Sequence, residues 1–274
     1  MKATVFLGGG RITGALLAGL RLAGYKGAIV VHDRNAHKLR ALQREHGVVV
    51  ERDFRRAVEQ AQFLMVAVRP DAVGNILKQV RLLQSGAARS RKRSSGPLIA
   101  CSLAAGIPLA RLRMHLGPPV RWVRAMPSPA SRSGRGLTAV TFEPGFPAAA
   151  RQQVKKFFAK VGPVLEIPEP RFDAFTVTYS STHGYHSLAA LAQAAQKLGL
   201  DRKTAFTAAA HALADGILAW REGKESLETL LQEAATPGGI AATVMSAMDV
   251  AGYPRSIERG LRAGVARTRK NAKA

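Results

Sequence analysis

One cysteine, Cys101, stands in a chain of 274 residues. That excludes an intramolecular disulfide and any cysteine-rich metal site. Its flank, Leu98-Ile99-Ala100, is apolar, so a buried and inert thiol is expected. Acids are scarce as well: 18 against 41 Lys and Arg, a formal net charge of +23. Long apolar runs are missing, and no stretch reaches the length that crosses a bilayer. The N-terminus carries one Lys and runs straight into a strand pattern, unlike a signal peptide. Together these features lead to a cytoplasmic expectation with no membrane partner. The seven histidines, His32, His37, His46, His115, His183, His186 and His211, show no paired spacing with acids on one helix face. No metal is therefore expected. No nucleophile elbow occurs, and Ser102 has no evident base partner.

The basic surplus attracts polyanions. Its dense patches are Arg89-Ser90-Arg91-Lys92-Arg93, in a Ser/Gly-rich stretch read as a surface loop, and the tail Arg267–Lys273. Neither interleaves the aromatics on which bases stack, so no specific nucleic-acid partner is expected. The surplus suits a small acidic substrate and a phosphorylated cofactor.

What is present begins near the first residue. Val5-Phe6-Leu7-Gly8-Gly9-Gly10-Arg11-Ile12-Thr13-Gly14 is an apolar run, a glycine cluster and the start of a helical pattern through Leu16, Leu17 and Leu20. A strand, a tight turn and a helix N-terminus are the parts that cradle a pyrophosphate. Gly8 permits the turn, Gly10 lets the backbone approach the phosphates, and free amides face the anion. Thr13 stands at the third small position of G-x-G-x-x-G. A second strand pattern, Ala28–His32, ends in Asp33-Arg34-Asn35, about 20 residues past the loop, where such a unit reads the adenosine ribose. Asp33 accepting from a 2′-hydroxyl favours NAD. Arg34 pairing with a 2′-phosphate, with Lys38 adding charge one turn on, favours NADP. NADP is the preferred expectation and NAD stays open. The alternative has Asp33 capping the next helix and Arg34 solvated.

Strand patterns recur at Thr4–Leu7, Ala28–His32, Phe63–Val68, Leu98–Cys101, Arg121–Val123, Leu137–Phe142 and Val164–Ile167. Helical patterns alternate with them at Gly14–Ala23, Ala36–His46, Phe54–Ala61, Asp71–Leu83, Leu109–His115 and Ala148–Val161. This predicts an α/β fold: a Rossmann-type, doubly wound, mainly parallel sheet. Pro168-Glu169-Pro170 marks the expected boundary, giving domains 1–168 and 169–274. Beyond it only helices are expected, at Tyr185–Leu198, Lys203–Trp220, Leu227–Ala234, Ile240–Ala251 and Ser256–Lys270. Small residues repeat along faces such as Ala208, Ala212 and Gly216, as in a tight bundle or a helix-exchanged dimer.

Four further segments carry a family resemblance. They are Val66-Ala67-Val68-Arg69-Pro70-Asp71, Ser102-Leu103-Ala104-Ala105-Gly106-Ile107, Arg124-Ala125-Met126-Pro127-Ser128-Pro129-Ala130 and Thr236-Pro237-Gly238-Gly239. In order and spacing the chain resembles the pyrroline-5-carboxylate reductases from Met1 to about Arg269. The resemblance implies hydride delivery from NAD(P)H to the C=N carbon of 1-pyrroline-5-carboxylate, giving L-proline. It also implies an all-helical C-terminal dimerisation domain, exchanged with its partner in a homodimer that some members build into rings. On this basis the phosphate loop is Gly8, Gly9, Gly10, Arg11, Ile12 and Thr13. Ala67, Val68, Arg69 and Pro70 approach the nicotinamide ribose, with Arg69 in place of the usual Lys. Ala104, Ala105 and Gly106 shape the cofactor floor, and Met126 and Pro127 border the imino-acid substrate.

The departures fall at the substrate. The family's Ser-Gly-Ser-Gly-Pro-Ala-Tyr becomes Tyr179-Ser180-Ser181-Thr182-His183-Gly184-Tyr185. The threonine pair after Pro-Gly-Gly becomes Ile240-Ala241, with Thr243 one turn on but turned to another face. Imine reduction needs a held nicotinamide, a proton or hydrogen bond at nitrogen, and an anchored carboxylate. Thr236, Pro237, Gly238 and Gly239 lead into a helix N-terminus, a carboxylate site by the physics of the phosphate loop. Ser181, Thr182 and Tyr185 are further substrate candidates. Ser181, His183 and Thr243 are the catalytic ones, His183 as a proton donor or, equally, a helix-cap residue. Another cyclic imine or a keto acid as substrate, or a non-catalytic dinucleotide-binding role, are the alternatives.

Overall fold

A computed structural model describes residues 3–87 and 97–273. The basic stretch Arg89–Arg93 lies outside the described residues. Packing divides the chain into two units: Met1–Tyr179 with Gly264–Ala274, and Ser180–Ala263.

In the first unit the elements alternate: β1 (Ala3–Leu7), α1 (Arg11–Leu22), β2 (Ile29–His32), α2 (Ala36–His46), β3 (Val49–Val50), α3 (Phe54–Glu59), β4 (Ala61–Val66), α4 (Pro70–Ala87), β5 (Ile99–Ser102), α5 (Leu109–His115), β6 (Arg121–Met126). A 3-10 turn (Pro129–Ser133), β7 (Thr138–Phe142), α6 (Ala148–Ala159), β8 (Val164–Glu166) and α7 (Glu169–Thr178) follow. The sheet order is β3-β2-β1-β4-β5-β6-β7-β8. Only the β6–β7 pairing is antiparallel among the described strands. This is the Rossmann-type sheet expected from the alternation.

Period-two alternation splits the core into two layers. Val5 and Leu7 of β1 face α4 and α5 through Val73, Leu77, Val80 and Leu112. Phe6 faces the other way, toward Leu16, Leu17 and Leu20 of α1 and Phe158 of α6. Both faces are thus covered, as a parallel sheet requires. Gly19 lets α1 lie directly on the 3-10 turn: a Cβ there would stand 1.9 Å from the Ser131 carbonyl oxygen. Cys101 is fully buried in the second layer, and burial pushes its thiol pKa up, as an inert core thiol should behave.

Several elements depart from the sequence reading, three of them in ways that bear on the site. Strand β3 is only two residues long, too short to leave a periodic trace. Strand β6 runs on to Met126, three residues past the expected Val123. Helix α7 was not read: it begins at the proline pair taken as the domain boundary. Its prolines, Pro168 and Pro170, sit at the N-cap and in the first turn. A proline costs nothing there, because the first amides of a helix have no intrahelical acceptor.

The second unit holds α8 (Ser181–Lys197), α9 (Arg202–Glu222), α10 (Leu227–Ala234), α11 (Ile240–Val250) and the first half of α12 (Tyr253–Asn271). Side-chain caps start three of these helices. Ser180 accepts from the Thr182 amide, Asp201 from Lys203 and Thr204, and Ser226 from Thr229. Helix α9 turns Ala205 and Ala209 inward, while Ala208, Ala212 and Gly216 face outward. Contrary to the reading of the histidines, His211 does meet an acid on one helix face. Its Nδ1 lies 3.1 Å from Asp215 Oδ2, one turn along α9. Both are exposed, and among the described residues no group of three His, Cys, Asp or Glu could hold a metal ion.

Candidate active site

The parallel strands β1, β2, β4 and β5 end on one edge of the sheet, and the glycine loop lies there. Gly8 has φ +112°, and a Cβ on it would sit 2.5 Å from the Ala67 carbonyl oxygen. Only glycine allows this contact between the β1 and β4 ends. Thr13, at the third small position, is fully buried, and its hydroxyl donates to the Gly8 carbonyl at 2.7 Å. The threonine thus ties the loop closed from below.

Helix α1 starts at Arg11, three residues earlier than its apolar pattern suggested. Gly10 is its N-cap, with no side chain accepting from the first amides and no acid in the first turn. A Cβ on Gly10 would meet nothing within 4 Å. Arg11 is exposed and Ile12 half-buried, so their amides lie uncapped at the positive end of a helix, and an anionic group fits there.

The residues read as ribose contacts stand beside it. Asp33 Oδ2 accepts from the Gly9 amide at 2.8 Å, and Oδ1 from the Asn35 amide at 2.8 Å. The cap of α2 is Asn35, not Asp33: its Oδ1 accepts from His37 and Lys38 at 2.9 and 3.2 Å. Arg34 and Lys38, one and five residues after Asp33, are exposed. Ala67 and Val68 are half-buried against Gly8, while Arg69 reaches Asp71 at 3.2 Å on the surface beside Pro70. Ala104, Ala105 and Gly106 follow β5, and the Ala104 amide donates to Ser102 Oγ at 3.3 Å. Met126 and Pro127 close β6. The structure brings all these residues to the same edge of the sheet. A surface groove of about 380 Å³ lined by Tyr25, Gln62, Phe63, Lys156 and Lys160 lies at the opposite edge, where the strands begin.

Two contacts near Met126 were not foreseen. Ser128 Oγ accepts from Ala130 at 3.2 Å and from the Tyr179 phenol at 3.0 Å, joining the end of α7 to the segment after β6. Arg124, 2% exposed, places Nη1 3.2 Å from Glu169 Oε1 and Nη2 2.6 Å from Asp173 Oδ1. Its guanidinium lies 4.5 Å from the Phe172 ring centroid. Glu169 also accepts from the Leu109 amide at the start of α5, at 2.6 Å. The signal was present in part: an arginine inside an apolar strand needs an acidic partner, and Glu169 stood between the two prolines read as the domain boundary.

In the helical unit, Ser181, Thr182, His183 and Tyr185 form the exposed first turns of α8, and the His183 amide donates to the Ser180 carbonyl at 3.1 Å. Thr236, Pro237, Gly238 and Gly239 make a tight turn. Gly238 has φ +78°, and the Gly239 amide donates to the Thr236 carbonyl at 2.8 Å. Helix α11 starts there without a side-chain cap. The Thr243 hydroxyl donates to the Gly239 carbonyl at 3.1 Å and is engaged within the helix.

Comparison with known proteins gives the family. The pyrroline-5-carboxylate reductase dimerisation family matches residues 169–271. The family described as NADP oxidoreductase, coenzyme F420-dependent, matches residues 4–88. The pyrroline-5-carboxylate reductase of Mycobacterium leprae is 34% identical over 219 residues, covering 78% of this chain and 72% of that protein. The chain belongs to the pyrroline-5-carboxylate reductase family. The Mycobacterium tuberculosis member is 28% identical over 290 residues, covering 98% of this chain and 96% of that one. The fold agrees with solved members of the family. The Plasmodium falciparum reductase with NADP bound gives a TM-score of 0.85 at 17% identity, covering 99% of this chain and 98% of that chain. The Coxiella burnetii reductase gives 0.84 at 23% identity, covering 100% and 99%. Membership in this family makes the chain an oxidoreductase of the CH–NH class, with a Rossmann-type domain and a helical dimerisation domain.

Proposed function

We propose that the chain reduces the C=N bond of 1-pyrroline-5-carboxylate to L-proline, the last step of proline biosynthesis, with NADPH as donor. The observation that carries this reading is the uncapped helix start at Gly10, Arg11 and Ile12 after the end of β1. Gly8 and Thr13 hold its shape, and a pyrophosphate fits its charge and space. Asp33 takes the ribose edge, and exposed Arg34 and Lys38 supply charge for a 2′-phosphate. Ala67, Val68, Arg69 and Pro70, with Ala104, Ala105 and Gly106, flank the nicotinamide end. When bound, the reduced nicotinamide supplies the hydride.

In the first unit Met126 and Pro127 are the substrate-facing candidates; in the second they are Ser181, Thr182 and Tyr185, with the Thr236–Gly239 turn and the α11 amides suited to a carboxylate. His183 supplies a proton near the ring nitrogen when the imine arrives unprotonated. Thr243 is left with the helix backbone. The working form is a homodimer, with domains 1–168 and 169–274 dividing cofactor and dimer roles, and its location is the cytoplasm. Two observations support the dimer: the family match over 169–271, and apolar side chains of α10 and α11 left uncovered in one chain. Among the described residues no helix is long and apolar enough to cross a membrane.

Ile240-Ala241 after the Pro-Gly-Gly turn favours a second reading, another cyclic imine. The deciding experiment is a panel of cyclic imino acids with NADPH and NADH. The five-membered ring should give the highest kcat/KM, with NADPH preferred. Faster turnover of a different ring moves the function to the second reading, and no turnover on any imine ends both.

A further inference from the structure

The loop after β5 is held from three sides, and one holder is the end of the chain. The Leu103 amide donates to the Val66 carbonyl at 3.0 Å, which ties the loop to β4. The Ala104 amide donates to Ser102 Oγ. The Ala105 carbonyl accepts from Asn271 Nδ2 at 3.2 Å, across 166 residues of sequence. Gly106 lies against the same turn of α12. A Cβ there would stand 2.6 Å from the Thr268 carbonyl oxygen and 2.8 Å from Thr268 Cα, and its φ is +79°. The loop therefore meets backbone, which cannot swing aside. Residues Gly264–Ala274 pack with the dinucleotide-binding unit, although α12 begins among the helices of the other.

We infer that the last turn of α12 is a positioning element for the nicotinamide end of the cofactor, and that Asn271 acts through the Ala105 carbonyl. The inference rests on the assignment of Ala104–Gly106 to the cofactor floor. Half-buried Ala105 needs a donor for its carbonyl. With Asn271 in place, the 105–106 peptide plane is fixed before the dinucleotide arrives. Without it, the plane rotates toward water, and binding must pay the ordering cost. Gly106 is required because the helix backbone comes so close, not because the cofactor does.

The test uses the full chain. Asn271→Asp keeps the size and removes the N–H donors, Asn271→Ala removes the side chain, and Asn271→Gln keeps an amide. NADPH fluorescence titration, steady-state kinetics and thermal melting are measured on each. Asp and Ala should raise Kd and KM for NADPH by about five- to tenfold, the scale of one lost hydrogen bond. KM for the imine should stay at wild type, Tm should fall by no more than about 4 °C, and Gln should recover most of the affinity. NADPH affinity within about twofold of wild type in both Asp and Ala overturns the inference. So does a rise in both KM values that tracks a lower Tm, which marks a folding role alone. A wild-type chain that binds neither NADPH nor NADH sinks the function itself. A normal wild type with unaffected variants sinks only the clamp.

Discussion

The dinucleotide-binding unit and the helical unit differ in how far one chain can bury its own apolar surface. In the first, both faces of the sheet are sealed, down to Trp122, Phe6 and Phe158 at or near zero exposure. In the second, the buried side chains of α8 and α9 are three alanines, Ala192, Ala205 and Ala209. Helices α10 and α11 bury none, and Leu231, Ile240, Val244 and Met248 stand exposed. An uncovered surface of this kind marks a contact site. The first unit closes over its own core, while the second leaves apolar surface that the proposed homodimer would cover.

That contrast can be broken or sharpened by substitution. The largest effect should come from Gly8→Val, which forces a side chain into φ +112° and against the Ala67 carbonyl. It should cost about 3 kcal/mol or more and abolish NADPH binding, read by chemical denaturation and titration. Val244→Asp with Ile240→Asp attacks the other unit. The dimer should dissociate about 100-fold more readily by sedimentation, with NADPH binding by the first unit retained. A pair variant that stays dimeric removes α11 from the interface. Arg124→Ala leaves Glu169 and Asp173 without their buried partner and should cost about 2 kcal/mol, at the low end because both acids are part exposed. Arg34→Ala should raise KM for NADPH about tenfold and change KM for NADH by less than about twofold. Equal changes would remove Arg34 as the phosphate reader.

The smallest effect is on pH dependence. Burial first, and nearby arginines in each case, hold His46 and His115 below the ordinary histidine pKa. Above that ordinary value both are neutral folded or unfolded, and nothing is lost. As pH falls through about 6.5 the unfolded chain takes up protons that the folded one refuses, so stability declines. A His46→Gln, His115→Gln chain should lose about 2 °C less in Tm between pH 7 and 5.5. A melting curve as steep as that of wild type places the titrating groups elsewhere.

Most of the first unit was legible because its signals are local. An apolar run, a glycine cluster and a helical pattern need no distant partner to be read, and Ala36–His46 came out with the bounds observed. Helix α7 was missed because Pro168 and Pro170 look alike in a linker and in a first turn. Its distant partners, Arg124 and Ser128, decide between the two. Asp33 and Asn35 are both good caps two residues apart, and only backbone geometry assigns the cap to Asn35. The Asn271 contact had no signal, since 166 residues separate it from Ala105 and neither is unusual where it stands. In the helical unit the exposed apolar residues lack a partner within the chain, so periodicity gives the helices but not what they touch.

The two margins of the sheet carry one more consequence. Strand β3 is two residues long and β8 three. A second copy arriving edge-on finds almost no ladder to extend, so fibril-like stacking through the sheet is starved of hydrogen bonds.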